Sequence, residues 1–208
     1  MENELLKIGV TGSAGSGKSA VCEGFGRLGL VTLDCDRIAR EVVEPGREAY
    51  KEVVAAFGPA VVSADGGLDR ARLRALIVER PEMRKRLEGI LHPVIIREMV
   101  RRMEAAGAAG AAGCAVEVPL LFELGMEGHF DAVVVVTAPE ERLVERIAAR
   151  DGVDRSGAEK MLALQMGQDE KVRRADHVIL NRGSREALFR AVALLHEKLV
   201  KERLTKKK

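Results

Sequence analysis

Gly12-Ser13-Ala14-Gly15-Ser16-Gly17-Lys18-Ser19 is the stretch whose reading decides the fold. It satisfies G-x-x-x-x-G-K-[ST] at every fixed position. Average residue frequencies produce that pattern by chance about once per hundred chains of this size, so context has to decide its meaning. Upstream, residues 7–11 form a short apolar run of strand character. Downstream, residues 18–28 place Val21, Phe25 and Leu28 on one helical stripe. A strand that feeds a glycine-rich turn and then a helix N-terminus can cradle phosphate. Glycines let successive backbone N–H groups curl toward one anion, and the helix dipole adds to the attraction. Lys18 then reaches the β- and γ-phosphates, and Ser19 offers a hard oxygen to Mg²⁺. Gly12, Ser13, Ala14, Gly15, Ser16, Gly17, Lys18 and Ser19 are therefore the candidate ATP-binding residues. The glycine spacing GxxGxG differs from the GxGxxG of a dinucleotide site, which makes NAD a poor reading.

Outward from this loop, short apolar runs alternate with helical patterns, the mark of an α/β domain with a parallel sheet. Further strands are expected at residues 30–34, 115–118, 132–137 and 177–180. Their lack of polar alternation predicts burial on both faces. A helix over 139–150 follows Thr137, which with Glu140 has capping-box spacing. The last helix, over 185–203, repeats Leu188, Val192, Leu195 and Leu199. Residues 36–113 hold no convincing strand. Helices fit at 37–43, 47–57, 69–80, 81–91 and 93–106, which reads as a helical insert over one edge of the sheet. The Ala/Gly-rich tract 105–113 reads as a frayed helix end and a flexible connector. The expected organisation is a nucleotide-binding core of residues 1–35 and 114–208, with the insert at 36–113. Residues 153–174, with Arg155, Lys160, Lys171, Arg173 and Arg174, read either as a mobile basic lid or as a solvated helix pair. The Lys-rich end, 198–208, reads as a solvated face and a loose tail.

The chain has 208 residues, 47% of them apolar and 32% charged, as in an ordinary soluble domain. Its 34 basic and 32 acidic residues leave a formal charge of +2, so neither a nucleic-acid coat nor a polybasic membrane anchor is expected. Aromatics are 3%, with no Trp and one Tyr, which excludes a base-stacking platform and makes arginine the expected partner of an adenine ring. Cys22, Cys35 and Cys114 form no CxxC, which suits a reducing cytoplasm. The acidic N-terminus lacks a signal-peptide core, and the longest apolar run, 132–136, is too short to span a bilayer. No surface seam is recognisable, so a monomer or a weak homo-oligomer is expected.

Phosphate binding alone leaves the reaction open. The Asn-Lys-x-Asp of GTPases is absent, because Asn3 and Asn181 are the only asparagines. The third strand carries one carboxylate, Glu117, where motor ATPases carry an acidic pair. Small size and a helical insert favour a kinase with a small acceptor, such as a nucleoside monophosphate kinase. A nucleotide-dependent switch and a non-catalytic ATP binder are the other classes. The second strand ends in Asp34-Cys35-Asp36. Strand carboxyl ends face one crevice in an open parallel sheet, which places Asp34 beside the phosphate loop as a candidate general base. Asp36 reads as the cap of the next helix. Arg146 and Arg150 lie i,i+4 on a helix and suit phosphate oxygens, or else pair with Glu145 or Asp151. Glu117 either helps hold Mg²⁺ or pairs with a nearby base. His129, His177 and His196 have no metal-ligand spacing.

Taken together, these segments resemble the dephospho-coenzyme A kinase family. Asp34-Cys35-Asp36-Arg37-Ile38-Ala39-Arg40 with Pro45-Gly46 resembles its D-x-D-x-I-A-R/H…P-G. Leu91-His92-Pro93 resembles its H-P motif, and Val118-Pro119-Leu120-Leu121-Phe122-Glu123 its V-P-L-L-F-E. Arg146, Arg150 and Asp151 resemble R-x-x-x-R-D. Gln165 resembles the Gln of the A-x-Q that follows. Residues 175–183 resemble A-D-x-V-I-x-N-x-G. Ser13-Ala14 stands where the family usually has Gly-Ile. The stretch from Pro139 to Arg146 is one residue long against the pattern, which leaves Arg142 as an alternative to Arg146. The resemblance covers nearly the whole chain in order. It implies a three-layer P-loop kinase fold, α/β with a parallel sheet, a helical acceptor-binding insert and a small lid at about 151–174. It implies ATP-dependent phosphorylation of the ribose 3′-hydroxyl of dephospho-coenzyme A, with Mg²⁺. Asp34 would be the base, Lys18 and Arg146 the charge-neutralising residues, Arg150 and Asn181 further ATP contacts. Asp36, Arg40, His92, Pro119 and Leu120 would bind the acceptor.

Overall fold

The computed structural model describes residues 5–206; the acidic stretch before residue 5 and the end of the Lys-rich tail, 207–208, lie outside the described residues. The strands are β1 Leu6–Thr11, β2 Val31–Asp34, β3 Gly113–Glu117, β4 Ala132–Thr137 and β5 His177–Leu180. The helices are α1 Lys18–Arg27, α2 Cys35–Glu41, α3 Glu48–Phe57, α4 Arg70–Glu79, α5 Pro81–Ala108, α6 Glu140–Asp151, α7 Arg155–Ala163, α8 Gln168–Arg174 and α9 Arg185–Lys206. The chain divides into two compact units, Met1–Asp34 with Met103–Lys208, and Cys35–Arg102.

In the first unit the five strands pair in parallel in the order β2-β3-β1-β4-β5. One face is covered by α1 and α9. Val21, Phe25, Leu188 and Val192 pack there with Ile8, Val10, Val134 and Val136. Burying Phe25 alone contributes about 1.5–3 kcal/mol. The opposite face is occupied at Gly9 by the β3–β4 connection: a Cβ on Gly9 would stand 2.8 Å from both Leu121 and Phe130. The C-terminal stripe packs as its spacing predicts, with Leu188, Val192 and Leu199 buried.

Four expectations change here. The strands are not all buried on both faces. β1, β3 and β4 are, but β2 and β5 are edge strands, and Thr32, Asp34, Val178 and Leu180 are exposed. The capping box at Thr137 does not form: Thr137 ends β4, and Pro139 precedes α6 without a side-chain cap. Asp36 lies in the first turn of α2, so it is Asp34 that immediately precedes that helix. The tract 105–113 is an ordered stop. Gly110, at φ 83°, supports Gly110 N–H to Gly107 C=O and Ala111 N–H to Ala106 C=O bonds, a Schellman turn that leads straight into β3.

The second unit is helical, with Val53, Val61, Leu73 and Leu87 at its centre and Phe57, Leu68 and Ile90 against them. Asp69 caps α4 by accepting from the Arg72 N–H at 2.9 Å. The two helices expected at 81–91 and 93–106 are one, because α5 runs unbroken through Pro93. Pro93 is exposed. The helix forgoes one hydrogen bond there, which its length and packing outweigh. Along α2 and α5, Arg102 bridges Glu41 and Glu98. Hydrogen bonding from Arg101, aided by Arg102, holds the Glu98 carboxyl down at about 2.

All three cysteines are buried thiols. Burial pushes Cys114 up to about 12 and raises Cys22 well above its ordinary value, with the charges of Glu117 and Asp34 adding to the latter. A folded pKa above the unfolded one means stability fully present below the unfolded value of 9.0 and lost as pH rises toward about 12. The unfolding free energy from urea titration should therefore fall above about pH 9, by about 1.4 kcal/mol per pH unit from Cys114. A Cys114→Ala variant should flatten that fall; an equally steep fall in the variant would remove Cys114 as its source.

Candidate active site

The site is built on the turn from β1 into α1. Gly12, Gly15 and Gly17 hold φ of 147°, 76° and 98°, which side-chain-bearing residues avoid. Space is as restrictive as angle. A Cβ on Gly12 would lie 2.2 Å from the Val136 carbonyl oxygen, and one on Gly17 2.3 Å from Asn181 Nδ2. The turn delivers residues 12–17 to the N-terminus of α1, where the helix dipole favours an anion.

Side chains from distant parts of the first unit fasten this loop. Lys18 Nζ donates to the carbonyls of Gly12 at 3.1 Å and Ser13 at 3.2 Å. Arg146 Nη1 donates to the Gly15 carbonyl at 2.9 Å, while Arg142, one turn earlier, is exposed. Buried Asn181 donates from Nδ2 to the Ser16 carbonyl at 2.7 Å, and its own N–H bonds the Thr137 carbonyl at 2.7 Å. These donors occupy loop carbonyls, while among the loop N–H groups Ala14 donates to Gln165 Oε1 at 3.0 Å and Ser16 to the Ser13 carbonyl at 3.1 Å. Ser16 Oγ is fully buried and makes no hydrogen bond within the protein. An unmet buried hydroxyl costs about 1–3 kcal/mol, a cost that a bound oxyanion offsets.

Next to the loop lies a pair of carboxylates. Ser19 Oγ donates to Glu117 Oε1 at 3.1 Å. Asp34 is the register partner of Glu117 across the β2–β3 ladder. Asp34 is thus not on the strand adjoining β1, because β3 with Glu117 stands between them. Among the described residues no three His, Cys, Asp or Glu side chains gather as a metal cage. A hydroxyl beside a carboxylate nevertheless fits Mg²⁺, which takes one or two protein oxygens and fills its octahedron with water and phosphate.

Other candidates fall elsewhere. Arg150 makes a two-pronged pair with Asp151, both bonds 2.8 Å, on the exposed end of α6. Asp36, Arg40 and His92 belong to the second unit, His92 midway along α5. Pro119 and Leu120 lie in the first unit, just past β3; the Pro119 carbonyl accepts from Thr11 Oγ1 at 3.4 Å, and Leu120 is exposed. The basic segment 153–174 is two helices, and its charges are largely paired. Arg155 pairs with Glu159, Arg173 with Glu170 and Arg174 with Glu127. Lys171 is no surface charge: its side chain is fully buried, 2.9 Å from Glu123. Sequence reasoning missed that contact because α8 turns this one basic position inward. It also missed that Gln165 Oε1 accepts from the Ala14 N–H at 3.0 Å, joining the α7–α8 segment to the loop. The motif position of Gln165 was the available signal.

A family model for dephospho-CoA kinase matches residues 6–186. The chain belongs to the dephospho-CoA kinase family. A dephospho-CoA kinase of Geobacillus kaustophilus is 40% identical over 181 residues, covering 87% of this chain and 90% of that protein. A solved structure from Thermus thermophilus superposes with TM-score 0.79 at 36% identity, over 94% of this chain and 98% of its own. A dephospho-CoA kinase structure from Campylobacter jejuni, 24% identical, shares the fold with TM-score 0.63 over 93% and 96% of the two chains. A dephospho-CoA kinase is a phosphotransferase on the P-loop kinase fold, and the parallel sheet with its phosphate loop is that fold. Among the described residues no helix is long and apolar enough to cross a membrane.

Proposed function

We propose that the chain transfers the γ-phosphoryl group of ATP to the ribose 3′-hydroxyl of dephospho-CoA, giving CoA and ADP, the last step of CoA synthesis. The observation that carries this is the sequence of contacts Asp34–Glu117–Ser19, which sets a carboxylate at the end of β2 one strand from the phosphate loop. Asp34 accepts the proton of the 3′-hydroxyl as its oxygen attacks the γ-phosphorus. The bond from γ-phosphorus to the bridging oxygen breaks, and ADP leaves. Lys18 and Arg146, both already seated on the loop, neutralise charge on the transferring group. Loop N–H groups hold the β-phosphate. Ser19 and Glu117 would hold Mg²⁺, which when bound supplies charge neutralisation to the phosphate oxygens. Asp36, Arg40 and His92 of the unit Cys35–Arg102, with Pro119 and Leu120, take the acceptor. Residues 151–174 act as the lid that excludes water, and Asn181 acts on ATP through the loop backbone it braces. Buried thiols suit a cytoplasmic setting.

The test is ADP release with Mg-ATP and a panel of acceptors. Dephospho-CoA should give sustained turnover while nucleoside monophosphates stay at background. ADP formed with a nucleoside monophosphate but not with dephospho-CoA would overturn the proposal.

A further inference from the structure

Gln165 stands where the loop that follows α7 meets the phosphate loop. Its Oε1 accepts from the Ala14 N–H at 3.0 Å. The residues after it are fixed as well. Met166 N–H donates to Glu123 at 3.2 Å, Gln168 Oε1 accepts from the Ala138 N–H at 3.2 Å, and buried Lys171 sits on Glu123. The segment that follows Gln165 is therefore fastened to the core of the first unit.

Its position along the loop is informative. Lys18 Nζ lies on the carbonyls of Gly12 and Ser13, the residues directly before Ala14. Lys18 is the group that meets the β- and γ-phosphates in a loop of this pattern. The Ala14 edge is accordingly the terminal-phosphate end of the cradle. A primary amide whose oxygen is committed to an N–H still carries two N–H donors. Hydrogen bonds from such a donor to a charged oxygen are among the stronger ones.

We infer that Gln165 Nε2 donates to a non-bridging oxygen of the γ-phosphoryl group of ATP, so that Gln165 reads the third phosphate. This rests on the reading of the loop as an ATP site and adds a contact to it. Gln165→Glu separates the two ends of the amide. It keeps an oxygen to accept from Ala14 and replaces the donor with a negatively charged oxygen. Gln165→Ala removes both.

ATP and ADP affinities of the wild type and both variants are measured by titration calorimetry with Mg²⁺, with thermal melts as the folding control. Gln165→Glu should weaken ATP by about tenfold or more, through a lost donor and like-charge repulsion, and leave ADP within about threefold. Gln165→Ala should weaken ATP less and ADP hardly at all. Wild-type affinity for ATP in Gln165→Glu would make Gln165 a mere anchor and overturn the inference. An equal loss for ATP and ADP would also overturn it, because the loop itself would then have moved. So would tighter binding of both nucleotides by Gln165→Ala, which would mark Gln165 as a competitor for the Ala14 N–H. Because these readouts need no acceptor, a failure of the dephospho-CoA assay and a failure of this inference are separate results.

Discussion

Asp34→Asn should lower kcat by about 10²–10⁴-fold and leave ATP affinity nearly unchanged. Asparagine keeps the shape and can still bond the ribose hydroxyl, but it cannot take up the proton. Asp34 lies outside residues 12–19, one strand removed from β1, so nucleotide binding does not depend on it directly. It ends β2 and immediately precedes α2, and the amide replacement fits the same backbone. The measurement is steady-state ADP release with dephospho-CoA, alongside ATP titration. Full activity in the variant would remove Asp34 from the mechanism. A large loss of ATP affinity would instead place it among the phosphate-binding groups.

Gly12→Ala should be strongly destabilising for a single added methyl group. The residue holds φ 147°, and the added carbon would lie 2.2 Å from the Val136 carbonyl oxygen, in backbone of a strand hydrogen-bonded to β1. No side-chain rotation relieves that clash, so β1 and β4 must separate locally. We expect a loss of about 3 kcal/mol or more in urea unfolding, together with loss of turnover. Gly29→Ala is the control. Gly29 has φ 89°, but nothing lies within 4 Å of its added carbon, so it should show strain alone, about 1–2 kcal/mol. Equal effects at the two sites would mean that backbone angle, and not contact with β4, limits Gly12.

Much of this architecture was legible because it is written in local pattern. The loop Gly12–Ser19, the five strands and the stripe Leu188, Val192, Leu199 are each set by residues close together in sequence. What was not legible depended on long-range packing. Strand order cannot be read from apolar runs, and so the place of β3, with Glu117, between β1 and β2 was not legible. Pro93 was read as a boundary because its local cost is visible and the packing of α5 is not. Lys171 was read as surface charge because composition does not tell which side of a short helix faces Glu123. Among the site residues, Lys18 and Arg146 both bond loop carbonyls, and it is Arg146, not Arg142, that bonds Gly15. Arg150 pairs with Asp151. The braces of the loop, Asn181 and Gln165, have partners 165 and 151 residues away, which no local reading reaches.

The sheet order has a consequence for how the molecule is made. β1 is the first strand to be synthesised and the middle one of the sheet, and its two neighbours are residues 113–117 and 132–137. At about 5–20 residues per second, a nascent chain therefore carries its central strand, with both edges unpaired, for several seconds before a partner exists. The phosphate loop emerges with that strand but waits longer still, until Asn181 arrives to hold Ser16. The brace of the phosphate loop thus follows the motif it holds by 165 residues of synthesis.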